Sequence, residues 1–280
     1  MKNLLTRSLT GILYVAVIVA GILINQWTFL ALSLLFAAVA IIEYTRLASS
    51  GDVNRPLLTI DFFGSMWMVL GVNMIATDYA FNSFPLTELM LVCYLLYVIV
   101  RLVAQLYVRS ATPLADLGRS FLGQVYIALP LSLMAFIYTM PAGNAILLTI
   151  FIMIWLNDTG AFIVGSKLGR HKLWERMSPK KSWEGFVGGV VFAVASAFVF
   201  KYLFGEYFSE ISLGTLLGLG AVVGIFATWG DLIESMFKRS LGVKDSGNIL
   251  PGHGGILDRI DSLLLVVSAS LVYLFIDKLF

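Results

Sequence analysis

The sequence carries one cysteine, Cys93, in 280 residues. That excludes an intrachain disulfide and any zinc centre built on cysteine clusters. Its place inside an apolar run marks it as packing. Charge is scarce too: 13% of residues are Asp, Glu, Lys or Arg, against roughly 25% in an ordinary soluble domain. Nineteen basic and seventeen acidic residues leave a net charge of only +2. This excludes a generic polyanion-binding or nucleic-acid-binding protein and makes the distribution of charge the informative quantity. Internal repeats, low-complexity tracts and the short alternating segments of a transmembrane β-barrel are all missing. Apolar residues are abundant instead, at 59% with a mean hydropathy of +0.90. A soluble chain of this size cannot enclose so much apolar surface, whereas a bilayer accepts it directly.

A spanning helix takes about 20 apolar residues at roughly 1.5 Å each. The uncharged stretch 8–42 is too long for one span and suits two, with Asn25 and Gln26 beside Trp27 as the hairpin. Further apolar runs cover 57–76, 89–108, 121–138, 145–164, 186–204, 213–229 and 260–276. The expected fold class is therefore all-α, a polytopic integral membrane protein with about nine transmembrane helices. Residues 3–24 have the basic flank of a signal peptide in Lys2 and Arg7, but no small-residue cleavage site before a polar mature domain, and read as a retained first span. With the amino terminus in the cytoplasm, most lysines and arginines fall inside. Lys201 and Lys278 fall outside, and Arg101 lies within the fourth helix. The positive-inside rule selects this orientation, and the expected location is the cell's inner, cytoplasmic membrane.

Polarity is uneven along the chain. Residues 1–118 read as an amino-terminal transmembrane scaffold and 119–280 as a carboxyl-terminal catalytic region, because acids, bases, glycines and amides gather at 155–181 and 230–261 on the expected cytoplasmic face. Within 230–239, helical spacing puts Asp231, Glu234, Ser235 and Lys238 on one face. A plain amphipathic helix end, with Lys238 and Arg239 complementing the dipole, accounts for part of this pattern. Asp231 is less ordinary. It follows Thr228-Trp229-Gly230 at the end of a span, where an acid is expensive unless it meets a cation or water.

Farther on, Pro251-Gly252-His253-Gly254-Gly255 precedes the last helix. Glycines there let successive N–H groups approach an oxyanion at a helix N-terminus, which suits phosphate, although a flexible loop has the same composition. Asp258 and Asp261 are i, i+3 neighbours in the following turn. First-turn acids favour the dipole by about 0.3–1 kcal/mol each, yet two on one face repel, and a divalent cation relieves that repulsion. With Asp231 they supply hard oxygen ligands that Mg²⁺ accepts alongside water and substrate phosphate.

The sixth span carries Asn157 and Asp158 in Trp155-Leu156-Asn157-Asp158-Thr159-Gly160-Ala161-Phe162. An intramembrane acid either lines a cavity or pairs with a base to hold helices. After it, Lys167, Arg170, His171, Lys172, Lys180 and Lys181 form a basic loop with Trp174, Met177 and Trp183 among them. That composition suits anionic lipid heads. An orientation signal with Ser182 as helix cap explains the charge as well. The two histidines, His171 and His253, are too far apart in sequence to be read as a zinc pair. Asp61 reads as interfacial, and Gly220 with Gly224 as a close helix contact.

Taken together, these residues resemble the phosphatidate cytidylyltransferases, or CDP-diacylglycerol synthases. The family signature Ser-x-x-Lys-Arg, Lys-Asp, Pro-Gly-His-Gly-Gly and Asp-Arg-x-Asp is matched by Ser235, Lys238, Arg239, Lys244, Asp245, Pro251, Gly252, His253, Gly254, Gly255, Asp258, Arg259 and Asp261. The stretches around Asn157 and Asp158, and Ser178-Pro179-Lys180-Lys181-Ser182-Trp183-Glu184-Gly185, are similar to the family as well. The first half resembles it only in having several hydrophobic spans.

The resemblance implies condensation of CTP with phosphatidate to CDP-diacylglycerol and pyrophosphate, with Mg²⁺ and a monovalent cation such as K⁺, in a homodimer embedded among membrane lipids. Carried over residue by residue, Asp231, Asp258 and Asp261 become the metal acids and, with Lys244, the catalytic set. Asn157, Asp158, Lys167, Arg170, Lys180, Lys181, Ser235, Lys238, Arg239, His253, Gly254, Gly255 and Arg259 become substrate-binding residues. Two rival readings remain at this level. An ion-coupled transporter would use Asp158 and Asp231 as coupling sites, and a CTP-dependent lipid-alcohol kinase would release CDP instead of pyrophosphate.

Overall fold

The computed structural model describes residues 2–49, 54–78, 86–249 and 254–279. Among the described residues nine long helices follow one another: α1 Lys2–Leu23, α2 Gln26–Ala48, α3 Arg55–Asp78, α4 Leu86–Leu106, α5 Pro113–Tyr138, α6 Gly143–Leu168, α7 Trp183–Leu203, α8 Leu213–Ser240 and α9 Leu257–Leu279. Among the described residues eight of them, α2 to α9, are long and apolar enough to cross a membrane, and α1 adds the shorter apolar stretch Ser8–Leu23. The nearly all-α, multi-pass architecture expected from hydropathy is what the chain adopts. The one sheet among the described residues is an antiparallel hairpin of β1 Lys172–Trp174 and β2 Ser178–Ser182, with Lys172 opposite Ser182 and Trp174 opposite Ser178.

The helix boundaries follow local chemistry. Asn25 caps α2: its Oδ1 accepts the N–H groups of Trp27 and Thr28, and Thr28 Oγ1 accepts the Asn25 N–H in return. Ser182 caps α7 by accepting the Gly185 N–H at 3.1 Å. In α5, Pro130 lacks an N–H, and in a regular α-helix its ring would press on the carbonyl four residues back. A wider π turn at Gln124–Ala128 absorbs the misfit.

The chain divides into two compact units, one of Met1–Thr139 with Asp245–Arg259, the other of Met140–Lys244 with Ile260–Phe280. In the first, α3 packs on α2, α4 and α5. In the second, α7 packs between α6 and α8, and small residues bring the backbones close. A Cβ on Gly220 or Gly224 would stand 2.8–2.9 Å from the α7 backbone, the close helix contact expected of that glycine pair.

Candidate active site

The second unit assembles its chemistry along α8 and α9. Thr215 Oγ1 donates to Asp277 Oδ2 at 2.9 Å, and farther along Gly230 lies against the Asp261 carbonyl and Ser262 Cα. These pairs step equally along both helices in opposite directions, so α8 and α9 run antiparallel. Gly230 is required at the crossing, since a Cβ would come within 2.8 Å of the Asp261 carbonyl oxygen. The next residue, Asp231, is thereby set beside Asp261. Asp261 also has Glu234 within hydrogen-bonding reach.

Helix α8 continues past its apolar run because its polar end is internally paired. Ser235 Oγ donates to Asp231 Oδ1 at 3.2 Å, and Lys238 Nζ donates to Glu234 Oε2 one turn away. Glu234 and Lys238 are both buried. Lys181, on β2, reaches across to place Nζ 2.6 Å from Asp231 Oδ2. Three carboxylates, Asp231, Glu234 and Asp261, thus face two ammonium groups, Lys181 and Lys238.

The first unit holds the glycine loop. Gly254 adopts φ +84°, open to glycine at no steric cost. Asp258 accepts the N–H groups of Ser246 (3.0 Å) and Gly255 (2.8 Å). The next two N–H groups, those of Ile256 and Leu257, go to the carboxylate of Glu43 at 3.1 and 2.8 Å. In this arrangement the helix N-terminus that the sequence offers to phosphate is met by the protein's own carboxylates. A Cβ on Gly255 would collide with Glu43 and Ser246, so glycine there allows the carboxylate to approach.

The remaining candidates are spread over several elements. Asn157 is buried and donates from Nδ2 to the Gly224 carbonyl at 3.0 Å, joining α6 to α8. Asp158, Lys167, Arg170 and Lys180 are exposed. The Arg170 N–H, with the N–H and Nδ1 of His171, binds the Glu184 carboxylate, which fastens the hairpin to the start of α7. Arg239 Nη1 donates to the Val243 carbonyl at 3.1 Å, and Lys244 is exposed. Tyr14 Oη donates to the Arg259 carbonyl. His253, with Pro251 and Gly252, lies outside the described residues.

The sequence matches the cytidylyltransferase family over residues 5–277. The chain belongs to this family. It is similar to proteins named phosphatidate cytidylyltransferase from Staphylococcus aureus (45% identity over 134 residues), Staphylococcus saprophyticus (47% over 129) and Staphylococcus epidermidis (47% over 134). These matches cover 46–48% of this chain, and the chain spans about half the length of the curated relatives it matches.

Whether these acids fit a divalent ion depends on how many protein ligands the ion requires. Among the described residues no three His, Cys, Asp or Glu side chains converge tightly enough to hold a metal by themselves. Mg²⁺ asks less: it keeps several waters and is held by one or two carboxylates plus substrate phosphates. Asp231 and Asp261, adjacent and in excess over the ammonium groups beside them, meet that requirement in chemistry and number. Asp258 spends both oxygens on backbone N–H groups.

Two structural features carry little signal in the sequence. Glu43 anchors the glycine loop, and its one signal was an acid directly after the uncharged run ending at Ile42. Asp61, whose partner the sequence does not show, is buried in an ion pair with Arg101 at 3.1 Å.

Proposed function

We propose that this chain condenses CTP with phosphatidate to give CDP-diacylglycerol and pyrophosphate. The observation that carries the reading is the juxtaposition of Asp231 and Asp261 across the Gly230 crossing, with Lys181 on Asp231, in a chain of the cytidylyltransferase family. A phosphate-monoester oxygen of phosphatidate would attack the α-phosphorus of CTP. A new P–O bond forms, the bond from that phosphorus to the α–β bridging oxygen breaks, and pyrophosphate leaves with the electron pair. The attacking phosphate needs no strong base, because its second pKa is about 6 and it is already largely ionised.

The barrier is therefore the meeting of two anions. Two unit charges 4 Å apart repel by about 4 kcal/mol at an effective dielectric of 20, and each substrate carries several. Bound Mg²⁺, held by Asp231 and Asp261, would supply charge neutralisation at the nucleotide phosphates. Lys181, released from Asp231, with Lys244 and Arg239 of the same unit, would bind phosphate oxygens. Glu43 and Asp258 would fix the backbone from Gly255 to Leu257. The Glu234–Lys238 pair keeps the polar end of α8 rigid. Catalysis on this reading is positioning and electrostatics, as in other phosphoryl transfers.

The same proposal includes an inner-membrane location, a cytoplasmic amino terminus and active-site face, a homodimer and a monovalent cation such as K⁺. The positive-inside distribution supports the orientation, and the family resemblance supports the last two. Purified full-length protein given CTP, phosphatidate and Mg²⁺ should form CDP-diacylglycerol and pyrophosphate in equal amounts. Lipid-independent CTP breakdown, or release of CDP, would overturn the assignment.

A further inference from the structure

In the amino-terminal unit a cavity of about 760 Å³ opens between the carboxyl ends of α2 and α4 and the amino ends of α3 and α5. None of the residues proposed above for nucleotide chemistry lines it. Four arginines do, Arg55, Arg101, Arg109 and Arg119, against two acids, Asp61 and Asp116. Both acids are already engaged: Asp61 with Arg101 at 3.1 Å and Asp116 with Arg119 at 3.0 Å. Arg55 and Arg109 have no carboxylate partner among the described residues. Among the described residues the cavity wall therefore carries two more arginines than acids.

Its deepest arginine is held in place by design of the surrounding helices. Arg101 is 2% exposed. Its Nε donates to Asp61 Oδ1 and to Ser120 Oγ at 3.0 Å, and its Nη1 donates to Gln105 Oε1 at 2.9 Å. Nη2 makes no hydrogen bond among the described residues. Asp61 in turn accepts from Tyr97 Oη and Ser120 Oγ, and its backbone carbonyl accepts from Gln124 in the π turn of α5. One edge of a locked guanidinium is left over, on a residue that lines the cavity.

A structural staple between helices does not account for this. Buried ion pairs are weak stabilisers relative to apolar packing, and ionisable groups within spanning helices are functional-site signals. A staple also needs only Arg101 and Asp61. It gives no reason for Arg55 and Arg109 to line the same space.

We propose that this cavity binds a phosphate-bearing anion. Planar guanidinium forks match phosphate oxygens in a bidentate way. The first turn of α3 also lines the cavity, capped by Asn54 Oδ1 on the Leu57 N–H at 3.1 Å, and adds the positive end of a helix dipole. A phospholipid headgroup and free phosphate share this chemistry, and the cavity volume accommodates either. The inference is independent of the catalytic reading above.

The test uses the full-length chain in phosphatidylcholine nanodiscs, comparing wild type with the Arg55→Gln/Arg109→Gln double variant. Arg55 opens α3 and Arg109 lies in the connection after α4, both outside the buried pair, and equal melting temperatures without probe confirm folding. The probes are phosphatidylglycerol built into the disc, which lacks the phosphate monoester the proposed reaction consumes, and inorganic phosphate in solution. Ligand-induced thermal stabilisation reports the affinity. Wild type should respond to one or both probes, and the double variant should bind at least about tenfold more weakly, the loss expected for removed charge-assisted hydrogen bonds. A response to phosphatidylglycerol alone supports a headgroup as occupant, and a response to phosphate as well supports a free anion. Equal affinities in the two proteins, or no response in wild type, overturn the proposal.

Discussion

Lys181 Nζ stands 2.6 Å from Asp231 Oδ2, which ties the basic hairpin to the polar end of α8. The pair is partly solvated, so its contribution to folding is small. Its value lies in holding a phosphate-seeking cation next to the acids of α8 and α9. If the two act as a unit, Lys181→Gln should lower kcat/KM for pyrophosphate release by about 10²–10³-fold, the range for loss of one transition-state donor. Lys181→Arg should recover part of it. The Lys181→Gln/Asp231→Asn double variant should be little worse than Asp231→Asn alone. Steady-state pyrophosphate release with a melting curve for each variant measures this, and additive losses would show that the two side chains work separately.

Gly230→Ala tests the helix crossing. The added Cβ would meet the Asp261 carbonyl at 2.8 Å and Ser262 Cα at 2.9 Å, and both are backbone atoms that cannot swing aside. Overpacking of this kind costs about 1–3 kcal/mol, and separating α8 from α9 also pulls Asp231 from Asp261. A lowered melting temperature and lowered activity at temperatures where the variant is still folded are both expected. Gly205→Ala, with nothing within 4 Å of its added Cβ, is the control and should change neither.

How much of this was legible in sequence depends on the range of the interaction. The nine helices follow from runs of apolar residues, and the Asn25 hairpin, the Ser182 cap and the Gly220/Gly224 contact follow from local chemistry. The extension of α8 to Ser240 was readable because Asp231, Glu234, Ser235 and Lys238 pair within one helix. Glu43 was not, because its partners Ile256 and Leu257 are over two hundred residues away. The Asp61–Arg101 pair was missed for the same reason, as forty residues separate its members. The β1–β2 hairpin reads as a basic loop in the sequence because its strands are too short for an alternating pattern.

Glu43→Gln tests the loop anchor. The carboxylate accepts the N–H groups of Ile256 and Leu257 and, at 3.4 Å, the Ser246 hydroxyl. Glutamine keeps the shape but loses the charge and turns an NH₂ toward donors. Hydrogen bonds to charged groups contribute about 1.5–3 kcal/mol, so a destabilisation of that order is expected in denaturant titration. Limited proteolysis should cut the 245–256 segment faster than in wild type. An unchanged cleavage rate would mean that the loop is held by other contacts.

The Asp61–Arg101 pair separates structural need from binding. Removing either charge alone leaves its partner buried and uncompensated, a loss of about 3–5 kcal/mol, so Asp61→Asn and Arg101→Met should each unfold at markedly lower temperature. The Asp61→Leu/Arg101→Met double variant removes both charges and should regain most of that stability, since apolar replacements of buried ion pairs are often neutral. Thermal unfolding in nanodiscs measures the cycle. A double variant that melts like wild type yet no longer responds to phosphate or phosphatidylglycerol would show that the pair is kept for the anion, because a pair kept for the fold alone would leave that response intact.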